Sequence, residues 1–365
     1  MTAPSVLDID LNERLHVDLG AFCNNNCIFC MEDDRQGRFD RVSSVTPEQV
    51  KAILEENRNR KEVMFVSGEP TLNPEFLRYV RWAREAGFRS IGVISNGRRF
   101  SYAPFASRAV AAGLNLVIVS VHGPDARTHD GLTRTPGAFE QALAGLANLA
   151  ALARQTPLRI NTSTVLNRRN ATPERLDALL SLLRPMVRQM VFNVMQPFGR
   201  GHTHFDSLMM PYRETAQVLG AFFSRHAGEE LPIYLVDIPY CTTEGCGIPD
   251  SARGYVERYV HFEKESGASG ALVRGTPAEG TRSGGAGIKL RELSPTDSAP
   301  APDGLAVRHR DLLEQARKSK RPDCARCLYD DRCDGIWNHY IERFGFGEFI
   351  PVEPGTTRGA TQREP

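Results

Sequence analysis

The sequence predicts an α/β fold in which parallel strands are joined by crossover helices. Residues 14–236 alternate short apolar runs with amphipathic segments, which is the pattern of repeated βα units. Several of the amphipathic segments also begin with a helix-capping residue followed by proline. Because the active sites of such sheets lie at the carboxyl ends of the strands, we expect functional residues directly after the apolar runs.

Seven apolar runs are the predicted strands, and capping residues mark the helices between them. Thr46-Pro47, Asn73-Pro74 and Thr172-Pro173 each place a capping side chain before a proline at the first helical position. Gly87 and Gly113 stand where helices should end. The predicted strands are Arg14–Leu19, Glu62–Ser67, Ser90–Ser95, Asn115–Val121, Leu158–Leu166, Arg188–Met195 and Pro232–Val236.

The composition is that of a cytoplasmic enzyme. The chain of 365 residues is long enough for one or two domains with a large core. It carries 45 basic and 44 acidic residues, so its overall charge gives no reason to expect nucleic acid or an anionic membrane as a partner. No apolar run reaches the roughly 18 residues that span a bilayer, and residues 1–20 lack the pattern of a signal peptide. The eight cysteines are therefore expected to be reduced, which suits metal binding better than disulfides.

Three closely spaced cysteines near the amino terminus predict a metal cluster. Cys23, Cys27 and Cys30 follow the first predicted strand in the run Cys-Asn-Asn-Asn-Cys-Ile-Phe-Cys. A [4Fe–4S] cluster has four irons, so three thiolates leave one iron open to a small molecule. Zinc sites usually take their cysteines in pairs two to four residues apart, which makes zinc or a disulfide cluster the weaker interpretation.

This spacing, with Phe29 before the last cysteine, resembles the radical S-adenosylmethionine (SAM) superfamily. The resemblance covers about residues 14–236 and implies a partial (β/α)6 barrel similar to a TIM barrel. It also implies that the three cysteines hold a [4Fe–4S] cluster whose open iron is chelated by SAM. An electron from the cluster would then cleave SAM to a 5′-deoxyadenosyl radical.

Residues at other strand ends extend the resemblance. Gly68-Glu69-Pro70 follows the second strand and resembles the superfamily's Gly-Gly-Glu-Pro motif, which holds the SAM amino group, with Ser67 in place of the first glycine. Ser95, in a Ser-Asn-Gly sequence, resembles the family's Thr-Asn-Gly at the end of the third strand. The resemblance further implies that Ser120 reaches the SAM ribose or carboxylate and that Met195 lies near the adenine.

A second group of cysteines lies beyond the predicted barrel. Cys324, Cys327 and Cys333 form a Cys-x2-Cys-x5-Cys group that needs one distant thiolate, and Cys241 directly follows the seventh apolar run. The group is similar to a twitch domain, the shortened form of the SPASM extension, which implies an auxiliary [4Fe–4S] cluster. Trp337 stands where the full extension has a further cysteine, which favours one auxiliary cluster over two. A four-cysteine zinc site stays open, because thiolates alone do not distinguish zinc from iron–sulfur.

Cys246 is the one cysteine that these two sites leave over. Only four residues separate it from Cys241, so it could be the auxiliary ligand instead. It could also be a structural cysteine, or a free thiol at the barrel mouth that donates a hydrogen atom to a substrate radical, as the resemblance to some radical SAM epimerases implies.

Other candidate residues lie on the side where substrate should bind. His122 and His129 follow the fourth strand, and His202 and His204 follow the sixth. Loop histidines there could contact substrate or act as acid or base. Arg200 could pair with a carboxylate or a phosphate.

The motifs also predict the domain organisation. Residues 265–303 are rich in Gly, Ser, Ala and Pro and cannot bury enough apolar surface to offset their chain entropy. We therefore expect a flexible loop there, with a short strand near Ile288–Leu290. The predicted parts are an N-terminal extension (1–13), the barrel (14–236), the auxiliary cluster region (237–353) and a disordered tail (354–365).

The resemblance implies an enzyme that cleaves SAM reductively and abstracts hydrogen from its substrate, with flavodoxin or ferredoxin as electron donor. We favour maturation of a peptide or a peptide-derived natural product. The alternative is dehydrogenation or epimerisation of a small molecule such as a sugar, an aminocyclitol or a nucleotide. A non-enzymatic zinc or iron–sulfur binding module is the hypothesis from a different class, but such a module has no use for Gly68-Glu69-Pro70.

Overall fold

The computed structural model describes residues 14–31, 45–253, 260–264, 305–309, 318–330, 333 and 335–353. The predicted extension 1–13, the flexible loop 265–303 with its strand near Ile288–Leu290, and the tail 354–365 lie outside these described residues. The predicted domain boundaries therefore stay predictions.

A sheet of parallel strands forms the centre of the described structure. All seven predicted strands are present, and they pair in parallel with their neighbours in chain order. The prediction of an α/β fold with a partial barrel is thereby confirmed. The strands are β1 (Arg14–Asp18), β2 (Glu62–Val66), β3 (Ser90–Ser95), β4 (Leu116–Ser120), β5 (Arg159–Leu166), β6 (Gln189–Val194) and β7 (Ile233–Val236).

Two further strands extend the sheet beyond β1, and the sequence pattern does not predict them. β8 (Val260–Lys264) pairs in parallel with β1, and β9 (Leu305–His309) pairs antiparallel with β8. Each has five residues, and neither belongs to the βα alternation by which the first seven strands were recognised. A separate antiparallel pair consists of β10 (Lys318–Ser319) and β11 (Ile336–Trp337).

Helices connect the strands as expected. They are α1 (Pro47–Glu56), α2 (Phe76–Glu85), α3 (Ala103–Ala112), α4 (Ala126–Thr133), α5 (Ala138–Ala153), α6 (Pro173–Leu183), α7 (Gly199–Thr203), α8 (Phe205–Leu208), α9 (Tyr212–Arg225), α10 (Tyr240–Thr243), α11 (Asp250–Arg253) and α12 (Asn338–Phe344). Thr46 and Thr172 cap α1 and α6 as predicted. The start predicted at Asn73 is wrong, because its side chain accepts from Glu75 N–H (2.9 Å) and holds a turn before α2. Among the described residues, no helix is both long enough and apolar enough to cross a bilayer.

Alternate side chains of each strand face either the helices or the barrel interior. The outward side chains are mostly apolar and join the helices in one large buried cluster; on β1 these are Leu15 and Val17. A smaller apolar group on the inward faces consists of Met64, Val66 and Leu116. The larger cluster dominates the stability of the barrel, because each fully buried large apolar side chain contributes about 1.5–3 kcal/mol.

The described residues between Lys318 and Glu353 include side chains that pack against segments following β1 and β6. Tyr340 on α12 is fully buried against Tyr212, with ring centroids 4.5 Å apart, and its hydroxyl donates to the Glu348 carboxylate. The same buried cluster contains Trp337 of β11 and Phe29 of the cysteine loop. The two cysteine-containing regions are thus joined by a continuous apolar contact.

Gly220→Ala tests the close packing between α9 and the chain that follows β7. A Cβ at residue 220 would lie 1.8 Å from the Cys246 carbonyl oxygen, which is a backbone atom. We expect the free energy of unfolding to fall by about 1–3 kcal/mol, as in other overpacked cores, when it is measured by chemical denaturation.

Gly131→Ala on α4 is the matched control, because no atom lies within 4 Å of a Cβ there. Alanine at this position should be neutral or should stabilise the helix by up to about 1 kcal/mol. Equal effects of the two substitutions would contradict the packing argument.

Candidate active site

The cysteine loop, residues 19–31, lies at the carboxyl end of β1, where functional residues were expected. The structure brings Cys23, Cys27 and Cys30 together, since burial and then the Cys30 and Cys23 thiols raise the pKa of Cys27. Thiolates so close to one another repel when they are buried, and a bound metal relieves that repulsion. The donor set therefore fits a [4Fe–4S] cluster held by three thiolates.

Four backbone hydrogen bonds hold the loop on its two sides. They run from Asn26 N–H to Thr133 O (2.9 Å), from Ile28 N–H to Leu132 O (2.9 Å), and from the Arg200 and Gly201 N–H groups to Cys30 O (2.9 and 3.3 Å). The end of α4 therefore holds one side of the loop. The start of α7, just after β6, holds the other.

The predicted Gly-Glu-Pro turn touches the backbone that leads into Cys23. A Cβ on Gly68 would lie 2.4 Å from Phe22 O, and Glu69 N–H donates to the same carbonyl (2.6 Å). Ser67 and Gly68 both have positive φ, 69° and 54°. A non-glycine residue rarely adopts this conformation. The positive φ at residue 67 therefore explains why the family's motif has a glycine where this chain has Ser67.

The Glu69 carboxylate is buried and connects the ends of β2 and β3. Its Oε1 accepts from the Thr71 N–H (3.2 Å), the Thr71 hydroxyl (2.5 Å) and the Ser95 hydroxyl (2.8 Å), and its Oε2 accepts from the Asn96 N–H (2.6 Å). Burial raises the pKa of Glu69, while these hydrogen bonds lower it. One of the four bonds reaches Oε2, so that oxygen retains capacity for another donor. Pro70 opens a short 3-10 turn behind it.

Two residues that contact the cysteine loop were missed as site residues. The Asn96 side-chain amide donates to Asn24 Oδ1 (2.7 Å), and the Arg98 guanidinium donates to Asn24 O (2.6 Å) and Asn25 Oδ1 (3.0 Å). The signal was present in the sequence, because three consecutive asparagines inside a metal-binding loop require polar partners. Asn96 lies in the same Ser-Asn-Gly motif that identified Ser95.

The remaining predicted SAM contacts lie at the same edge of the sheet. Phe29 is buried and meets the His122 ring edge-on, with centroids 4.7 Å apart. Met195 follows β6 and shares a buried cluster with Phe29. Ser120 ends β4 and is partly exposed. The structure thus gathers these residues, while their roles toward SAM stay predictions.

The histidines expected near the substrate fall into two groups. His122 and His129 are buried, and His129 Nδ1 accepts from the His122 N–H (3.1 Å). Burial lowers the pKa of His122 and lowers that of His129 to about 4, so both are neutral at pH 7. His202, in contrast, is exposed and packs on the His339 ring at 4.0 Å. His204 is half-buried, so His202 is the more accessible of this second group, and contact with substrate stays a prediction.

The second cysteine group forms a four-thiol pocket with Cys241. Cys241, Cys324, Cys327 and Cys333 line one pocket. Burial and then the three other thiols raise the pKa of Cys241 to about 12. This convergence across about 80 residues of sequence fits a four-thiolate site.

Cys246 lies outside that pocket. Its thiol donates to Thr242 O (3.5 Å) and Glu244 O (3.8 Å) and packs against the large apolar cluster outside the barrel. The structure therefore favours Cys241 over Cys246 as the fourth thiolate of the second group.

The identity of the metal has to come from metal analysis, because thiolates bind both zinc and iron–sulfur clusters. Within the described residues, no set of three or more His, Cys, Asp or Glu side chains is already arranged to hold a single metal ion. The two sites still differ in their number of thiols, which is three in the cysteine loop and four in the pocket.

A cysteine loop at the end of the first strand of a parallel partial barrel, in contact with a Gly-Glu-Pro turn, is the arrangement expected of a SAM-dependent iron–sulfur enzyme. Residues 17–183 match the family model of the Radical SAM superfamily. The barrel region of the chain therefore matches the superfamily that the resemblance implied, and members of this superfamily are enzymes that use a [4Fe–4S] cluster and SAM.

Curated relatives match about half of the chain. The chain is 31% identical over 193 residues to the AdoMet-dependent heme synthase of Methanosarcina barkeri, covering 50% of this chain and 51% of that one. It is 28% identical over 158 residues to a probable GTP 3′,8-cyclase of Saccharolobus islandicus, covering 43% and 49%. The chain thus spans about half the length of these curated relatives.

Solved structures share the fold over most of the chain. SuiB of Streptococcus suis bound to S-adenosylmethionine superposes with a TM-score of 0.54 at 10% identity, covering 95% of this chain and 77% of that one. The enzyme anSMEcpe bound to AdoMet and the Cp18Cys peptide gives 0.52 at 13% identity, covering 92% and 95%. These similarities establish the fold alone.

Gly68→Ala should displace the cysteine loop, because the added Cβ would meet Phe22 O at 2.4 Å. We expect iron content after anaerobic reconstitution to fall by about four atoms per chain, one cluster, while the four-thiol pocket stays loaded. Ser67→Gly is the matched control, since glycine tolerates the positive φ of residue 67. Wild-type iron content in Gly68→Ala would show that the contact is not needed for cluster binding.

Cys327→Ser and Cys246→Ser together test the four-thiol pocket. We expect Cys327→Ser to lose about four irons per chain, or one zinc if the pocket holds zinc, because only three thiolates remain. Cys246→Ser should keep the full metal content by plasma emission analysis. Metal loss in Cys246→Ser as well would show that Cys246 is a ligand of this site.

Proposed function

We propose that the chain reductively cleaves SAM at a [4Fe–4S] cluster held by the cysteine loop and abstracts hydrogen from a peptide or a peptide-derived natural product. The observation that carries the proposal is the contact of the Gly68-Glu69 turn with Phe22, immediately before Cys23. A purely structural metal site needs no carboxylate-bearing turn beside its thiolates.

The chain's own residues would orient and shield the reactants. When bound, the cluster and SAM supply a 5′-deoxyadenosyl radical that can remove hydrogen from an unactivated carbon. Glu69 has acceptor capacity at Oε2 for the ammonium group of SAM, and Ser95 holds that carboxylate in place (2.8 Å). Phe29 and Met195 are buried beside the loop and would keep water from it.

The four-thiol pocket would hold an auxiliary [4Fe–4S] cluster with every iron ligated by the protein. The chemistry that it would supply is electron transfer, which favours net oxidation of the substrate. The outward packing of Cys246 against α9 gives less support to quenching by a thiol, the step that epimerisation needs.

The solved structures support a peptide substrate. The similarity to anSMEcpe extends over 92% of this chain, so it includes the region after the barrel, and that enzyme's structure holds a peptide. Phe22 and Met31 of the cysteine loop are 52% and 62% exposed and would offer apolar contacts to side chains of such a substrate.

The curated relatives favour a second candidate, modification of a small molecule. Their names refer to heme synthesis and to GTP cyclisation, and their identity to this chain is 31% and 28%, above that of the solved structures. Dehydrogenation of a sugar, an aminocyclitol or a nucleotide would use the same site and the same auxiliary electron acceptor. A flavodoxin or ferredoxin in a reducing cytoplasm is the electron donor that we propose for either substrate.

The test is iron and sulfide analysis with EPR after anaerobic reconstitution and dithionite reduction, with and without SAM, together with detection of 5′-deoxyadenosine. We expect about eight irons per chain, a reduced-cluster signal that SAM alters, and deoxyadenosine formation. Zinc with no response to SAM would overturn the enzymatic proposal and favour a metal-binding module. If deoxyadenosine is formed, product analysis with candidate peptides and nucleotides would distinguish the two substrate classes.

Cys30→Ala should abolish deoxyadenosine formation and leave the auxiliary cluster in place, because two thiolates cannot hold the SAM-binding cluster. About four irons per chain should remain, and their EPR signal should no longer respond to SAM. Cys246→Ser should retain deoxyadenosine formation. Persistent SAM cleavage in Cys30→Ala would disprove the role of the cysteine loop.

A further inference from the structure

Arg200 contacts the cysteine loop at two points. Its backbone N–H donates to Cys30 O (2.9 Å), and its guanidinium donates to the Asn26 side-chain oxygen. Residue 200 lies in α7, on the opposite side of the loop from α4. One arginine thus reaches both the middle and the end of the loop.

Among the described residues, the Arg200 guanidinium is buried without a carboxylate partner. Arg200 is 6% exposed, its Nε has no hydrogen-bond partner in the same part of the chain, and the side-chain bond to Asn26 is to a neutral acceptor. An ionised group in such surroundings is costly unless an opposite charge is nearby. Because arginine stays protonated in proteins, a nearby anion would offset this cost.

The loop thiols are the candidates for that negative charge. Asn26, whose side chain the guanidinium contacts, directly precedes Cys27, and the Arg200 N–H donates to the carbonyl of Cys30 (2.9 Å). A cluster bound by these thiolates is anionic and gains one more negative charge when it is reduced. A buried positive charge beside it therefore favours the reduced form.

We propose that Arg200 is a positioning residue that supplies the countercharge of the SAM-binding cluster and raises its reduction potential. This inference rests on the proposed function of the cysteine loop. It differs from the expectation that Arg200 binds a carboxylate or a phosphate, because the partner is the cluster itself.

Arg98 provides a matched control within the same loop. Its guanidinium donates to Asn24 O (2.6 Å) and Asn25 Oδ1 (3.0 Å), so it also holds the loop. It is partly exposed and also donates to Gln141 Oε1 (2.7 Å), so solvent screens its charge. Its loss should remove loop contacts without removing the countercharge.

The experiment compares Arg200→Gln, Arg200→Lys and Arg98→Gln with the wild-type holoenzyme by EPR-monitored redox titration, after iron analysis of each. The SAM-binding cluster is identified as the signal that SAM alters. We expect Arg200→Gln to lower the ratio of reduced to oxidised cluster at a fixed potential at least tenfold, about 59 mV for one electron. Arg200→Lys and Arg98→Gln should stay within about threefold of wild type, since both keep a positive charge at residue 200.

An unchanged potential in iron-loaded Arg200→Gln would overturn the inference, as would an equal shift in Arg200→Lys. If Arg200→Gln binds no iron, Asn26→Leu decides, because it removes the side-chain contact and keeps the charge. A loaded Asn26→Leu cluster with a potential near that of wild type supports the countercharge, and loss of the cluster there shows a merely structural contact. Absence of any SAM-responsive cluster in the wild type would instead reject the proposed function.

Discussion

The contact between the chain before Cys23 and the turn at Gly68 is the constraint on which the site depends. β1 and β2 run in parallel register to their ends, and only a residue without a Cβ lets the two following backbones touch. Glu69 connects this contact to the end of β3, because its buried carboxylate accepts hydrogen bonds from Ser95 and Asn96. Three strand ends therefore fix one another, and the position of the thiols follows from strand register rather than from the loop alone.

Most of the fold could be predicted because its signals are local. Strand alternation and the caps at Thr46 and Thr172 depend on neighbouring residues, and each was found where the pattern indicated. The helix start predicted at Asn73 was wrong, because an asparagine side chain that can cap a helix can also hold a turn. Here the Asn73 side chain accepts from Glu75 N–H in a turn. β8 pairs with β1 and β9 pairs with β8, so both depend on partners distant in the sequence that no local pattern reveals.

The site residues likewise divide into those that the sequence predicts and those that only the fold identifies. The cysteine spacing identified the metal-binding residues, but the choice between Cys241 and Cys246 needed the fold, because four residues of helix and turn point their thiols in different directions. His129 carries no sequence signal for burial, and its low pKa follows from packing. Asn96 could have been predicted from the sequence, because a loop with three asparagines requires hydrogen-bond donors and acceptors from other segments.

Trp337 shows how the missing cysteine of the longer extension changes the structure as well as the ligand count. The indole is buried, packs edge-on against Phe198 at 4.8 Å, and lies 4.2 Å from the Lys318 ammonium group. It belongs to the apolar cluster that also contains Phe29 of the cysteine loop, while the adjacent Ile336 lines the four-thiol pocket. Cys27 and Cys241 pack against the same cluster, so the indole belongs to the apolar packing that both thiol sites contact. Because protein interiors are close-packed and transmit strain, a smaller side chain at residue 337 would disturb both sites together.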